Sequence, residues 1–484
     1  MTCSRAYLNR SDGSGKNCYE WPKPFLSTPL ADTWSTDKAQ ASVTPLFANS
    51  HAVVEATTLV VAGRFLLILV AARLLGELMV RLQLPTILGE LLAGVLLGVS
   101  GLHLVVPPES GVATAPWLLN LTGQLGEVSS EQVNQISNGT YPFLQAVASI
   151  GLYSLLFLTG LESELDELIA VGMQASTVAL AGVILPFALG TAGLMALFHV
   201  DLVPAVFAGA SMTATSIGIT ASVFGELGML RSREGQIVIG AAVLDDIIGI
   251  VVLAVVVALA SDGGLSMGPI LQLVAAALLF VLAAIGLSRT AARPFDFLVD
   301  RLKAPGEIVV ASFLVLCLCC FGATAIGLEA ALGAFAAGLI LSRSRHTEAI
   351  QETVKPLVSL FATIFFVLIG TAMDLSVLDP TTPANRAGLV VAAFLFAVAI
   401  LGKLASGWSF LSAVPTNRLV VGLGMMPRGE VGLIFLGLGT TAGLLTPSLE
   451  AAILIMVIGT TFLAPILLRL AIPADQLQTA DGNS

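Results

Sequence analysis

Apolar residues come in long blocks along this chain, and polar residues collect in the gaps between them. From residue 53 onward, thirteen blocks read as membrane-crossing helices, each near the ~20 residues a bilayer requires. They cover 53–79, 84–104, 142–163, 168–198, 203–227, 234–260, 267–289, 306–326, 328–343, 354–374, 386–412, 417–441 and 448–470. The pattern predicts an all-α, polytopic membrane protein of about 13 transmembrane helices. The junction between the eighth and ninth blocks is short, and the fifth and twelfth are rich in Gly. Residues 1–52 are polar, with scattered Pro, Ser and Trp, and are expected to form a mostly disordered extracytoplasmic tail. No apolar signal-peptide core precedes residue 52, so the first span is expected to serve as the membrane address. Residues 471–484 are expected to be a short cytoplasmic tail.

Composition narrows the function. The chain is 56% hydrophobic and only 11% charged, against ~25% charged for a soluble domain, which leaves essentially no soluble domain. A formal charge of −10 implies no basic partner, because many acids lie in short loops or inside spans. The 22 Lys and Arg are spread thinly, so no nucleic acid is expected. There is no P-loop, so no nucleotide is expected either. The four His, at 51, 103, 199 and 346, lie near predicted ends or loops. They form no catalytic or metal-ligand spacing, and an enzyme is not expected. Cys317, Cys319 and Cys320 share one apolar span, where Cys acts as a small hydrophobe. Cys3 and Cys18 could pair if the tail faces an oxidising side.

Lys and Arg in the loops set the orientation. With the N-terminus outside, the inner loops hold Arg81; Arg231 and Arg233; Arg289, Arg293, Arg301 and Lys303; Arg343, Arg345 and Lys355; and Arg418, with Arg469 at the C-terminal end. The outer loops between spans hold only Arg386, and the long loop 105–141 has no Lys or Arg. This predicts N-out, C-in. Three N-x-S/T sequons, at Asn9, Asn120 and Asn138, fall in the same outer segments.

Two halves of the chain share motifs. LLFLTGLESEL (155–165) and FFVLIGTAMDL (365–375) align Leu158, Gly160, Glu164 and Leu165 with Leu368, Gly370, Asp374 and Leu375. Glu90, Gly94 and Gly98 of the second span match Glu329, Gly333 and Gly338 of the ninth. Matching spans are seven apart, an odd number, so corresponding helices run in opposite directions. That is the inverted repeat of secondary transporters. It predicts that the fifth span, AGASMTATSIGITASVFGELG, matches the twelfth, VVGLGMMPRGEVGLIFLGLG. Both are poor continuous helices, and two broken crossing helices at matched positions point to a transport site.

Charges at membrane depth supply the chemistry. Asp245 and Asp246 sit in VIGAAVLDDIIGIVVLAVVVALA. At 1.5 Å per residue, Asp246 lies ~18 Å from the Glu234 end, near the midplane. A charge there costs ~2.5–3.5 kcal/mol on insertion scales and marks an ion path or proton relay by default. The two side chains diverge by ~100° on a helix, and such a pair titrates as a coupled unit that can exchange protons for a cation. The alternative is a purely structural hydrogen-bonded pair. Lys403, ~17 residues into its span at 1.5 Å per residue, requires an anionic partner; the aspartates are the candidates, and snorkelling to the inner face is the alternative. Arg428 and Glu430 flank the second break, either as a structural brace or with Glu430 binding a cation. Arg64 is expected to snorkel outward or pair with Glu55. Glu90 is expected to make an interhelical bond.

The stretches LGELLAGVLLGVSGLHLV, LLFLTGLESEL, SMTATSIGITASVFGELG, AAVLDDIIGIVVLAVV, LGAFAAGLIL, FFVLIGTAMDL and MMPRGEVGLIF occur in that order between about residues 53 and 470. Together they resemble the second branch of the monovalent cation/proton antiporter superfamily: bacterial sodium/proton antiporters, with potassium-efflux antiporters as relatives. The resemblance implies an ion site at Asp245 and Asp246 that takes Na⁺, with Lys403 as charge partner and Thr215 at the first helix break. It implies no cofactor beyond the transported Na⁺ (or other monovalent cation) and H⁺. It further implies a homodimer in membrane lipid, with a dimer panel (about 53–165 and 306–376), a mobile core (about 166–262 and 386–470) that moves as an elevator, and a linker helix (267–289). Asp-Asp with Lys resembles the electrogenic type rather than the electroneutral Asn-Asp type. Only about 14 residues follow the last span, unlike the potassium-efflux relatives with their large nucleotide-binding domain. The expected function is Na⁺ (Li⁺)/H⁺ antiport in a plasma membrane, the inner membrane if the source is bacterial. The alternatives are K⁺/H⁺ antiport or potassium efflux, and a non-transporting ion sensor on the same fold.

Overall fold

The computed structural model describes residues 36–163, 165–260, 267–302, 306–379, 383–410, 414–428, 432, 435–436, 439–440 and 443–472. The chain separates into two units, 1–51 and 52–484. Of the first, residues 36–51 are described and are helical. The tail expected to be disordered otherwise lies outside the described residues, as do Asn9, Cys3, Cys18, Glu164, Glu430 and the segment 473–484.

Among the described residues all regular structure is helical. Among these residues eight helices are long and apolar enough to cross a membrane, and the protein is a multi-pass integral membrane protein. In chain order the helices are α1 (Thr36–Arg81), α2 (Thr86–Leu97), α3 (Pro116–Leu125), α4 (Ser130–Glu162), α5 (Leu165–Ala170), α6 (Gly172–Phe198), α7 (Leu202–Ser211), α8 (Ile217–Glu226), α9 (Arg233–Ala260), α10 (Met267–Thr290), α11 (Ala292–Val299), α12 (Glu307–Ala325), α13 (Ala330–Leu341), α14 (Thr347–Thr371), α15 (Pro383–Ser406), α16 (Arg418–Gly424) and α17 (Pro447–Ala471).

Two segments read as loops from hydropathy contain helix. The stretch 105–141 holds α3 and the first turns of α4. Its signal is capping rather than hydropathy: the Ser129 hydroxyl accepts from Gln132 N while Gln132 Oε1 accepts from Ser129 N, a reciprocal capping box. Asn120 and Asn138 therefore sit on helices. The loop after α10 contains α11.

Helices pack in two groups within residues 52–484. One joins α4 to α13 and α14, α2 to α14, and α12 to α13. The other joins α15 to α6 and α17, α6 to α7 and α9, and α16 to α9 and α17. α10 touches α9 on one side and α13 on the other.

In the first group, backbones approach without side chains between them. A Cβ on Gly160 would overlap Phe335 O, and one on Gly338 would overlap Phe157 O. A Cβ on Gly94 would overlap Val367 O, and one on Gly370 would overlap Leu91 O. So α4 crosses α13, and α2 crosses α14, at the glycines of the paired motifs. Small residues permit this approach, and dispersion replaces the hydrophobic drive that lipid cannot supply. Beside the second crossing, Thr363 Oγ1 donates to Glu90 Oε1 at 2.6 Å, the interhelical bond expected of Glu90.

Arg64 neither snorkels nor pairs with Glu55. It is 3% exposed and donates to Ser137 O at 2.6 Å, to Ser137 Oγ and to Thr140 Oγ1 at 3.1 Å. Pro142 lies inside α4, and a proline within a helix frees carbonyls in the preceding turn. Arg64 ties α1 to that stretch.

Candidate functional site

The site forms where the second group of helices is interrupted. α7 stops at Ser211 and α8 starts at Ile217, and residues 212–216 between them are not helical. The local cause is hydroxyls that compete for backbone groups. Ser211 Oγ donates to Ala208 O at 2.7 Å and Thr213 Oγ1 to Ala210 O at 2.8 Å, while Ser216 caps α8 by accepting from Ile219 N. On the other side, Asn417 caps α16 by accepting from Val420 N. α16 ends at Gly424, and residues 426–428 are not helical.

The two interruptions bond to each other. Ser216 N donates to Pro427 O at 3.0 Å, and Thr220 Oγ1 to Gly424 O at 3.1 Å. Arg428, fully buried, donates through Nη1 to Thr213 O at 3.0 Å and Ala214 O at 2.5 Å. Its own carbonyl accepts from Thr461 Oγ1 at 2.6 Å. A guanidinium thus sits on the carbonyl end of α7, where the helix dipole is negative.

Asp245, midway along α9, faces this junction. Its Oδ2 lies 2.6 Å from Lys403 Nζ, and both side chains are fully buried. Thr215 Oγ1 accepts from Lys403 Nζ at 2.9 Å. The same hydroxyl lies 2.8 Å from Asp245 Oδ2 and 3.0 Å from Met425 O; its single proton serves one of them at a time. Asp246 is 6% exposed and within electrostatic reach of Lys403. Gly182 on α6 makes room for the lysine: a Cβ there would lie 3.1 Å from Nζ.

The knot is not fully satisfied. Among the described residues, Asp245 Oδ1 and Arg428 Nε and Nη2 are buried without a hydrogen-bond partner. A buried ion pair repays its desolvation only when the remaining lone pairs and protons are also bonded. The junction therefore holds a carboxylate oxygen, a hydroxyl and loosened backbone carbonyls, all oxygen donors of the kind a hard cation requires.

Of the residues singled out in the sequence, Thr215, Asp245, Lys403 and Arg428 come together here, with Asp246 next in line. Glu430 lies outside the described residues. Arg428, read as a brace with Glu430, bonds the carbonyls of the first interruption. Gly182, Thr220, Thr461 and the Met425 carbonyl were not foreseen. The first three are common residue types in apolar helices, and a carbonyl has no sequence signal.

Comparison with known proteins fits this geometry. Residues 65–471 match the sodium/hydrogen exchanger transmembrane family, and the chain belongs to it. It is similar to the high-affinity Na⁺/H⁺ antiporter NhaS3 of Synechocystis, at 46% identity over 86% of this chain and 91% of that one. It is also similar to the Na⁺/H⁺-K⁺ antiporter GerN of Bacillus cereus, at 30% identity over 83% and 94%. The fold resembles that of the sodium proton antiporter MjNhaP1 from Methanocaldococcus jannaschii, with a TM-score of 0.57 over 88% of this chain and 100% of that one, at 15% identity.

Proposed function

We propose that the protein is a secondary Na⁺ (Li⁺)/H⁺ antiporter. Asp245 and Asp246 form the ion site, Thr215 helps hold the cation, and Lys403 is the displaceable charge partner of Asp245. The observation that carries this reading is the buried Lys403–Asp245 pair, seated between two interrupted helices with one carboxylate oxygen left unbonded. The names of the relatives above support Na⁺ and H⁺ as the exchanged ions.

Charge counting makes the exchange electrogenic. In the proton-loaded site, Asp246 is neutral, Asp245 is ionised, and Lys403 and Arg428 are both charged, for a sum of +1. In the sodium-loaded site, both aspartates are ionised, Lys403 has given up its proton, and Na⁺ and Arg428 are charged, for a sum of 0. Two protons leave as one sodium ion enters, so the cycle responds to membrane voltage, at ~2.3 kcal/mol per charge per 100 mV. Lysine suits this role because its pKa shifts readily on burial, whereas Arg428 keeps its proton.

The two packing groups support a panel (about 53–165 and 306–376) and a moving core (about 166–262 and 386–470), with α10 as linker. The motif glycines at both crossings support the inverted repeat. Within this reading the protein has about 13 spans, N-out and C-in, works as an elevator and as a homodimer, and resides in the plasma membrane.

The test is proton flux in proteoliposomes on adding Na⁺, Li⁺ or K⁺ at several pH values, with and without an imposed potential. Na⁺ and Li⁺ are expected to drive flux, and Asp246→Asn to abolish it in a well-folded protein. Flux with K⁺ or Rb⁺ alone would replace Na⁺ as the substrate, and near-normal exchange by Asp246→Asn would remove that residue from the site. Ion binding without flux would make the protein a sensor.

A further inference from the structure

Away from the aspartates, α1, α3 and α4 line a partly open cavity of about 50 Å³. Its polar lining is Arg64, Thr114, Thr122 and Ser137, and Leu59 and Leu118 are among its apolar walls. Arg64, Thr114 and Ser137 are buried.

Arg64 poses a charge problem. A guanidinium cannot be discharged in a protein, and it carries five N–H donors. Three contacts are made, all to neutral oxygens: Ser137 O, Ser137 Oγ and Thr140 Oγ1. Among the described residues none is to a carboxylate, so the guanidinium is buried with only neutral oxygens bonded to it, an arrangement that is costly in low dielectric. The neighbouring hydroxyls can rotate to present protons, so the cavity wall offers O–H and N–H donors and no anionic acceptor. Its volume suits one small ion with a water.

We propose that the Arg64 cavity binds a small inorganic anion, chloride in size and charge. The anion neutralises Arg64, accepts from the lining hydroxyls, and pins α3 against α1 and α4. This gives a purpose to the helical segment between α2 and α4, which the ion site does not use. The proposal stands independently of the antiporter reading, since its readout is binding and stability rather than flux.

The test uses the full chain in nanodiscs of zwitterionic lipid, at constant Na⁺ and ionic strength. Chloride is titrated against gluconate while the melting temperature is followed. A saturating rise of roughly 3 °C is expected with chloride and with bromide, but not with gluconate or sulfate. Arg64→Gln removes the charge and also the tie to α4, so it can fail to fold. Thr122→Leu fills the cavity and keeps every Arg64 bond; it is expected to fold and to lose the halide response. Bromide-soaked crystals should give an anomalous peak in the cavity. Equal melting in chloride and gluconate, a halide response that survives Thr122→Leu, or a cavity holding only water would each overturn the proposal.

Discussion

The chain meets itself in two unlike ways. At Gly160 with Gly338, and at Gly94 with Gly370, backbone lies directly on backbone. At residues 212–216 and 425–428, the chain is interrupted and side chains fill the space: Lys403, Arg428, Thr215 and Thr220. The crossing glycines themselves carry no group that can gain or lose a proton or be displaced by an ion. At the interruptions the buried Asp245–Lys403 pair supplies such groups. Rigidity and exchange chemistry are thus built from different materials and kept in different helices.

The sharpest way to break that contrast is to add atoms to a crossing. Gly338→Val places a side chain on Phe157 O and is expected to cost on the order of 3 kcal/mol or more. The yield of monodisperse protein on size exclusion should collapse. A valine variant that elutes like the wild type would mean the crossing is not rigid. Next in size is the lysine. Lys403→Gln leaves Asp245 buried and unpaired, at a cost of ~3–5 kcal/mol if the carboxylate stays ionised, and it should blunt the voltage response of exchange. Lys403→Arg can keep the pair but can hardly release a proton. If both variants follow voltage as the wild type does, Lys403 is a structural cation and the electrogenic step lies elsewhere.

A smaller effect is expected at the hydroxyl. Thr215→Val removes a hydrogen bond to charged groups, worth ~1.5 kcal/mol, or about tenfold. The apparent KM for the cation should rise by about that factor, more than the maximal rate falls. Initial-rate kinetics showing the reverse split would place Thr215 in the moving step rather than in cation binding. The smallest effect is far from both regions, on α11. Burial pushes the Asp296 carboxyl up, but bonds from Ser344 and from the Arg345 backbone and side chain outweigh it and hold the group below the ordinary carboxylate value. The stability it contributes is present above the unfolded value of ~3.9 and is lost as pH falls through the lower folded one. Asp296→Asn should cost at most about 1 kcal/mol near neutral pH. In thermal melts the gap from wild type should close in acid; a gap that stays constant with pH would assign the cost to packing.

Hydropathy read the long spans well because lipid demands apolar surface along the whole of each helix. It failed at 105–141, where Ser129 and Gln132 start a helix by capping in a polar stretch that hydropathy cannot see. The first interruption was legible because Thr, Ser and Gly crowd one span. The meeting of Asp245, Lys403 and Arg428 was legible only as a need: buried charges require partners, but the sequence does not say which oxygen each one finds. Arg428 illustrates this, for its bonds go to the Thr213 and Ala214 carbonyls, groups present at every residue. Gly182 is one glycine among 47, and only the lysine beside it marks its role. Arg64 was misjudged because its partners lie on the part of α4 that hydropathy left out.

The partner of Asp245 lies 158 residues further along the chain. At ~5–20 residues per second of synthesis, roughly 8–30 s separate the emergence of the acid from that of the base. During that interval α9 must enter the bilayer without the ammonium that later accompanies it. The least costly form of a lone carboxyl in hydrocarbon is the protonated one, so the helix is delivered neutral and acquires its charge when α15 arrives. The buried ion pair therefore forms only after the second half of the chain has been inserted.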